Sequence, residues 1–306
     1  MSDHVRICTA SSSATATGDC RGQVLVSGSY GGEYNAFHAG KWGIRGVILN
    51  DAGVGKNGAG IRGLPYLDSV GLAAATADAR TCHIGDAEHM LAHGTISYVN
   101  ESAQAAGCRL GESVRDCAER LRAAPVVRAR MPEVHGGRRA VIRSTPTPPI
   151  VCLDAAPLLE EGDAGAIVIT GSHAALFRGQ PDGVIKPDVR AIFFSDAGVG
   201  LDQAGIARLP TLDERGIASG CAAADSAEIG NAGSDVYKRQ TSNRSLHCAF
   251  IGVERGTLSA PLRRHCRQSH ASISLTAPAQ CDLHGTLIVA DIRSLTPQSI
   301  GRSLIQ

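Results

Sequence analysis

The pentapeptide DAGVG occurs twice in this chain of 306 residues, at residues 51–55 and again at residues 196–200. The surrounding sequence is repeated with it, because about half of the positions are identical when residues 51–87 are aligned with residues 196–232. Self-similarity at this level indicates the internal duplication of one structural unit. We therefore expect two similar folds in tandem.

Short apolar runs precede the pentapeptide in both copies. They are residues 23–26 and 46–49 in the first copy, and residues 166–169 and 191–194 in the second. Continuous apolar runs of this length, bounded by small residues, are typical of buried parallel strands. We expect a helix between the two strands of each copy, and a short helix closed by Gly71 or Gly216 after the pentapeptide. This order predicts an α/β fold built by tandem duplication of a parallel-sheet, three-layer βαβ unit.

The repeat divides the chain into four segments. They are a first α/β repeat at 5–124, a linker with an edge strand (139–143) at 125–149, a second repeat at 150–233, and a tail at 234–306. The clearest amphipathic helix spans residues 112–121. Its apolar face is expected to comprise Val114, Cys117, Ala118 and Leu121. The second copy shows no equivalent helix, so we interpret it as incomplete.

The string SDVYKRQ at residues 234–240 resembles a translated sequencing-adapter remnant of the kind found where metagenomic reading frames are joined. The chain after it contains no Lys, is rich in Arg and Ser, and shows no helical periodicity. We therefore predict an irregular, non-native tail with an exposed apolar patch left beside the second copy. The alternative is a genuine, divergent C-terminal extension.

The composition is typical of a soluble globular protein, with 43% hydrophobic and 19% charged residues. A net charge of +1 argues against a nucleic-acid partner. Neither a membrane-spanning apolar run nor a signal-peptide pattern is present, so we predict a cytoplasmic protein that does not contact a membrane. Its ten cysteines are expected to be mostly free thiols, and a homo-oligomer is compatible with the composition.

The segments SGSYGG (27–32) and TGSHAA (170–175) follow the first strand of each copy, where an open α/β sheet commonly binds its ligand. Their backbone N–H groups are suited to a phosphate or a carboxylate, so we expect Gly28, Ser29, Gly171 and Ser172 to present these groups to solvent at a cleft. On this hypothesis Gly171→Val abolishes any ligand-induced rise in melting temperature and leaves the fold largely intact. The predicted ligand-binding residues are Gly28, Ser29, Tyr30, Asn50 and Gly171. The competing interpretation is that these glycines serve turn geometry alone. Neither string matches a dinucleotide or phosphate-loop pattern, so no cofactor is assigned.

Asp51 and Asp196 directly follow the second strand of each copy and are candidate general bases. The competing interpretation is that each Asp bonds its own turn or caps the next helix. Ser172, His173 and Asp196 also have the residue types of a nucleophile, a base and an orienting acid. However, Ser172 does not lie in a GxSxG pattern. The predicted catalytic set is Asp51, Asp196, His173 and Ser172, and no metal ligands are predicted.

Three functions are compatible with these patterns. The first is an enzyme, such as a hydrolase, that acts on a small carboxylate or phosphorylated metabolite in a cleft between the two repeats. The second is a non-catalytic small-molecule-binding or regulatory protein that uses the same turns. The third is a structural scaffold without a ligand. Two carboxylates facing one open pocket favour the first two functions, whereas carboxylates bound to their own turns favour the scaffold.

Overall fold

The computed structural model of this protein describes residues 5–143, 148–181, 183–233 and 250–251. Within these ranges the chain forms two mostly parallel sheets with helices, so the predicted α/β duplication is confirmed. No helix in this part of the chain has the length and apolar character needed to cross a membrane.

The first unit contains a five-stranded sheet. Its strands are β1 (Ile7–Ala10), β2 (Val24–Tyr30), β3 (Gly46–Asn50), β4 (Ala73–Ala77) and β5 (Ile96–Val99). Its helices are α1 (Glu33–Gly40), α2 (Gly63–Asp68), α3 (Ala87–His93), α4 (Glu101–Ala105) and α5 (Val114–Leu121). The strands lie in chain order; the first four are parallel and β5 is antiparallel to β4.

Helices cover both faces of this sheet, as the three-layer prediction requires. Successive residues of a strand point to opposite faces. Val24 and Val26 therefore pack with α3 and α5, whereas Leu25 packs with α1 and α2. Helix α5 begins after Ser113, whose Oγ accepts a hydrogen bond from Asp116 N at 3.0 Å. All four predicted apolar positions of α5 are buried: Val114, Cys117, Ala118 and Leu121.

The second unit repeats this topology. Its strands are β6 (Arg139–Arg143), β7 (Ile150–Leu153), β8 (Ile167–His173), β9 (Ala191–Ser195), β10 (Ala218–Ala222) and β11 (Phe250–Ile251), and its helix is α6 (Leu209–Glu214). Strands β7 to β10 are parallel and follow the order of β1 to β4, and β11 pairs antiparallel with β10 as β5 does with β4. The predicted edge strand is confirmed as β6, which pairs antiparallel with β7 and so belongs to the second sheet.

Both units also share local irregularities. A register shift occurs between Val26 and Tyr30 in β2, and another occurs between Ile169 and His173 in β8. Segments 27–32 and 170–175 were expected to be turns, and this expectation is wrong because β2 continues to Tyr30 and β8 to His173. Each register shift contains a glycine, Gly28 in β2 and Gly171 in β8, and glycine is unfavourable in a regular strand.

The expected helix between β8 and β9 is absent from the described part of this segment. Residues 174–190 follow an irregular path there, whereas α1 occupies the equivalent place in the first unit. Pro181 and Pro187 explain the difference, because proline removes a helix hydrogen bond and clashes with the preceding turn. Ile185 and Val189 pack against the sheet instead.

Only residues 250–251 of the predicted tail are described, and they form β11. The predictions of irregular structure and non-native sequence for the other residues from 234 onward lie outside the described residues, as does any counterpart of α5. The sheet face equivalent to the one that α3 and α5 cover includes Ile150, Ile167 and Ala191, which are all buried. Ile169, Phe193 and Ala218 on the same face are only partly buried, so an exposed apolar patch beside the second unit stays a prediction.

Candidate functional site

The two DAGVG segments, residues 51–55 and 196–200, each form a sharp bend that we call a corner, and the two corners contact each other. Each corner is left-handed, with φ of +48° at Ala52 and +66° at Val54 in the first unit and almost the same values in the second. A Cβ added to Gly53 would lie 2.9 Å from the Cα of Gly198. Only glycine permits this approach of one backbone to the other.

Backbone hydrogen bonds cross this contact in a symmetric pair. Lys56 N donates to Ala224 O at 2.7 Å, and Leu201 N donates to Ala79 O at 2.8 Å. These residues occupy equivalent positions in the aligned repeat, so an approximate twofold axis relates the two units. We call this contact the seam. Its apolar part consists of Tyr30, Ala52, Ala59, Ile84, Ala175, Ala197 and Ile229.

Asp51 lies at the edge of the seam, and the residue is 4% exposed. Its Oδ1 accepts hydrogen bonds from Gly53 N at 2.9 Å and from Ala79 N at 3.0 Å. Asp196 makes the two equivalent bonds in the second unit, both at 2.8 Å. Each carboxylate therefore ties its own corner to the loop that follows the next strand.

Burial raises the pKa of Asp51 and Asp196 above the ordinary carboxyl range, and the hydrogen bonds from the backbone oppose this effect. A raised pKa is one property of a general base. Access to substrate is another, and both side chains are almost completely enclosed. The geometry therefore matches the turn-bonding interpretation of these residues more closely than the catalytic one.

Gly28 and Gly171 lie where two backbones pass close together. A Cβ at either position would stand 2.6 Å from a backbone atom of a neighbouring loop. Gly85 N donates to Gly28 O at 2.8 Å, and Gly230 N donates to Gly171 O at 2.7 Å. Both glycines are buried, so the expectation that they present N–H groups to solvent is wrong.

The two predicted serines are bonded within their own strands. Ser29 N donates to Ser27 Oγ at 3.3 Å, and Ser172 N donates to Thr170 Oγ1 at 3.1 Å. The expectation of solvent-facing N–H groups is therefore wrong for these residues as well. The Ser172 hydroxyl accepts a hydrogen bond from Ala156 N at 2.8 Å, which anchors β8 to the preceding loop.

The other predicted site residues lie at or near the corners. Tyr30 crosses the seam, and its hydroxyl fills the space that a side chain at Gly230 would need. Burial raises the pKa of Tyr30, and the nearby Asp154 carboxylate adds to this increase. Asn50 and His173 each accept a hydrogen bond from the backbone N–H two residues later, at 2.9 and 3.2 Å. The structure thus brings Asp51, Asp196 and Tyr30 to one contact.

A second polar group, which sequence reasoning did not select, lies beside the seam. His83 Nε2 of the first unit lies 3.0 Å from Asp202 Oδ2 of the second. The His83 ring stacks on His89 with ring centroids 3.8 Å apart, and the His93 centroid lies 4.6 Å from that of His89. We call these four residues the histidine cluster. The side chains of His83 and Asp202 are 30% and 72% exposed, so solvent reaches the pair.

The equivalent position across the twofold axis has different chemistry. Asn57 Nδ2 donates to Glu228 Oε1 at 2.6 Å, and Arg62 pairs with the same carboxylate at 3.2 Å. Asn57 and Glu228 are the repeat counterparts of Asp202 and His83. In the sequence, the histidine cluster is indicated by a difference between the repeats, because His83 aligns with Glu228 and Asp202 aligns with Asn57. The sequence does not show that His83 and Asp202 lie close together, and the fold does.

Comparison of the chain with known protein families, curated proteins and solved structures finds no match. The fold class does not select a function, because α/β architectures support many unrelated activities. The geometry of the seam and of the histidine cluster is therefore the basis for any functional assignment.

Proposed function

We propose that this protein is a structural scaffold in which the paired DAGVG corners hold two related α/β units in a fixed arrangement. The observation that carries the proposal is the engagement of both corner carboxylates by backbone N–H groups. Ala79 shows the connection most clearly, because its N–H donates to Asp51 and its carbonyl oxygen accepts from Leu201 of the other unit. The carboxylate thus supports the peptide that forms the seam.

The location of the seam also supports a scaffold. Open α/β sheets leave their ligand crevice at the carboxyl ends of the strands. In this protein the backbone of the other unit occupies that region. A Cβ on Gly55 would lie 3.0 Å from Ala224 O, and a Cβ on Gly200 would lie 3.1 Å from Ala79 O.

The histidine cluster favours a second candidate, an enzyme or binding protein for a small carboxylate or phosphorylated metabolite. An accessible imidazole beside a carboxylate is a common arrangement for proton transfer near neutral pH. Burial, with His83 and His93 nearby, lowers the pKa of His89, which favours its neutral form. In this proposal the ligand binds beside the seam. A cytoplasmic location and self-association stay predictions under both candidates.

A thermal-shift screen against carboxylate and phosphorylated metabolites distinguishes the two candidates. The scaffold proposal expects no metabolite to raise the melting temperature. The enzyme proposal expects a rise that persists in His135→Gln, an exposed control, and disappears in His83→Gln. A rise abolished by Asp51→Asn combined with Asp196→Asn would overturn the scaffold proposal, since the corner carboxylates would then take part in binding.

A further inference from the structure

Two cysteines and one glutamate converge beside the start of α5. One ligand atom from each of Cys108, Glu112 and Cys117 lies within 4.8 Å of those of the other two. Cys108 and Cys117 are buried, at 4% and 0% exposure, whereas the Glu112 side chain is 11% exposed. Glu112 is therefore the most exposed of the three residues.

We propose that these three residues bind one thiophilic divalent metal ion of the zinc class. Zinc takes thiolate sulfur at about 2.3 Å and carboxylate oxygen at about 2.0 Å in tetrahedral geometry, so its ligand atoms lie roughly 3.3–3.8 Å apart. The ligand atoms now lie within 4.8 Å of one another, so metal binding requires each pair to approach by up to about 1–1.5 Å. A water molecule would complete the fourth position.

The backbone already fixes the three ligands. Cys108 N donates to Ala103 O at 3.0 Å, which holds the loop that leaves α4. Glu112 O accepts from Ile96 N at 2.9 Å, which ties the second ligand to β5. Cys117 lies within α5 itself. Ligands placed on ordered backbone lose little conformational entropy when a metal binds.

The local charges are also suited to a cation. Arg120 Nε donates to Glu112 Oε2 at 2.9 Å, and Arg109 N donates to Oε1 at 2.9 Å. Two thiolates and one carboxylate carry three negative charges, which the divalent ion and the Arg120 guanidinium balance.

The proposed metal site does not depend on the proposed function. The sequence alone gives little indication of it. The spacing Cys-x3-Glu-x4-Cys matches no common zinc pattern. Buried cysteines more often act as small hydrophobic residues. The carboxylate beside both sulfur atoms distinguishes this pair from the other cysteines that the structure describes.

The test uses the full chain, reduced and stripped of metal with a chelator. Zn²⁺ affinity is measured by competition with a chromophoric chelator, and Cd²⁺ is added to read the thiolate charge-transfer absorption. We expect Cys108→Ser and Cys117→Ser to remove one equivalent of tight binding and its absorption. Glu112→Gln should weaken binding by about tenfold or more. Cys20→Ser, a buried control thiol, should bind as the wild type does.

Equal metal binding by Cys108→Ser and Cys20→Ser would overturn the proposal, because the metal would then lie elsewhere in the chain. A wild-type chain that binds no zinc when reduced, but forms a Cys108–Cys117 disulfide in air, would overturn it too. If Cys117→Ser fails to fold, Cys108→Ala decides, because Cys108 lies in a loop outside α5.

Discussion

At the scale of single residues, Asp51 illustrates how a buried carboxylate can stabilise a strained corner. One oxygen accepts two backbone hydrogen bonds, at 2.9 and 3.0 Å, next to residues with positive φ. Left-handed backbone is unfavourable for alanine and especially for valine. The hydrogen bonds to Asp51 compensate part of this cost, and Asp196 repeats the arrangement.

The acceptor role can be tested by comparing Asp51→Asn with Asp51→Ala. Asparagine retains an oxygen acceptor, so we expect its free energy of unfolding to stay within about 1 kcal/mol of the wild type. Alanine leaves two buried N–H groups without their acceptor and should cost about 2–5 kcal/mol. Urea unfolding measures both values, with the exposed Asp225→Ala as control. Equal destabilisation by Asn and Ala would show that the charge matters and the acceptor does not.

The raised carboxyl pKa predicts a specific pH dependence. The folded-state pKa of Asp51 and Asp196 lies above the unfolded value, so the folded chain binds more protons in the interval between them. Their contribution to stability is greatest below the unfolded pKa, near pH 4, and is lost as the pH rises through the folded pKa. Asparagine does not titrate, so the variant with both Asp51→Asn and Asp196→Asn does not lose this stability as the pH rises.

Urea unfolding between about pH 4 and pH 7 measures this effect. The free energy of unfolding of the double Asn variant, relative to that of the wild type, should increase with pH over this range. A relative stability that stays constant or falls would contradict the pKa assignment. Other acids titrate in both proteins, so their contributions cancel in the difference.

The sequence located Asp51 and supplied turn bonding as one of its interpretations. It did not identify the second donor, because Ala79 lies 28 residues further along the chain. That donor follows the next strand, and only the parallel pairing of β3 with β4 brings it beside Asp51. Hydrogen-bond partners of this kind depend on topology rather than on local residue pattern.

At the scale of elements, the glycines of β2 and β8 determine how closely the following loops pack. Three backbone atoms would lie 2.6–2.8 Å from a Cβ at Gly171. We expected that Gly171→Val would leave the fold largely intact, and the structure contradicts this expectation. Backbone atoms cannot move aside as a flexible side chain can.

We now expect Gly171→Val to lower the free energy of unfolding by about 3 kcal/mol or more. Gly162→Val is the matched control in the same unit, because no atom lies within 4 Å of a Cβ at Gly162. Urea unfolding of both variants measures the difference. Equal stability of the two variants would mean that the loop beside Gly171 can retreat without cost.

Elements with a strong local pattern were predictable. Apolar spacing identified α5, and the glycines at 71 and 216 marked the ends of α2 and α6. The helix predicted after β8 is absent from the described residues there, because Pro181 and Pro187 prevent the second copy from following the first at this point. The sheet to which β6 belongs was not readable, because an edge strand carries no signature of its partner.

At the scale of the whole molecule, the two units meet as the subunits of a symmetric dimer do. Each corner contacts its own counterpart, so the interface is isologous although it lies within one chain. The duplication was evident from sequence, but the mutual orientation of the units was not. The central contact of the seam is made by Gly53, Gly198 and backbone hydrogen bonds, and no side-chain pattern in the sequence predicts such a contact.

The measurement that tests the central claim is whether the two units unfold together in urea. Trp42, the only tryptophan of the chain, reports on the first unit by fluorescence, and thiol labelling of Cys152 and Cys221 reports on the second. If the seam locks the units, both probes should show one coincident transition in the wild type. The transitions should separate in Gly53→Val, whose Cβ would stand 2.9 Å from the Cα of Gly198. Separate transitions in the wild type, or coincident and unshifted ones in Gly53→Val, would contradict the account.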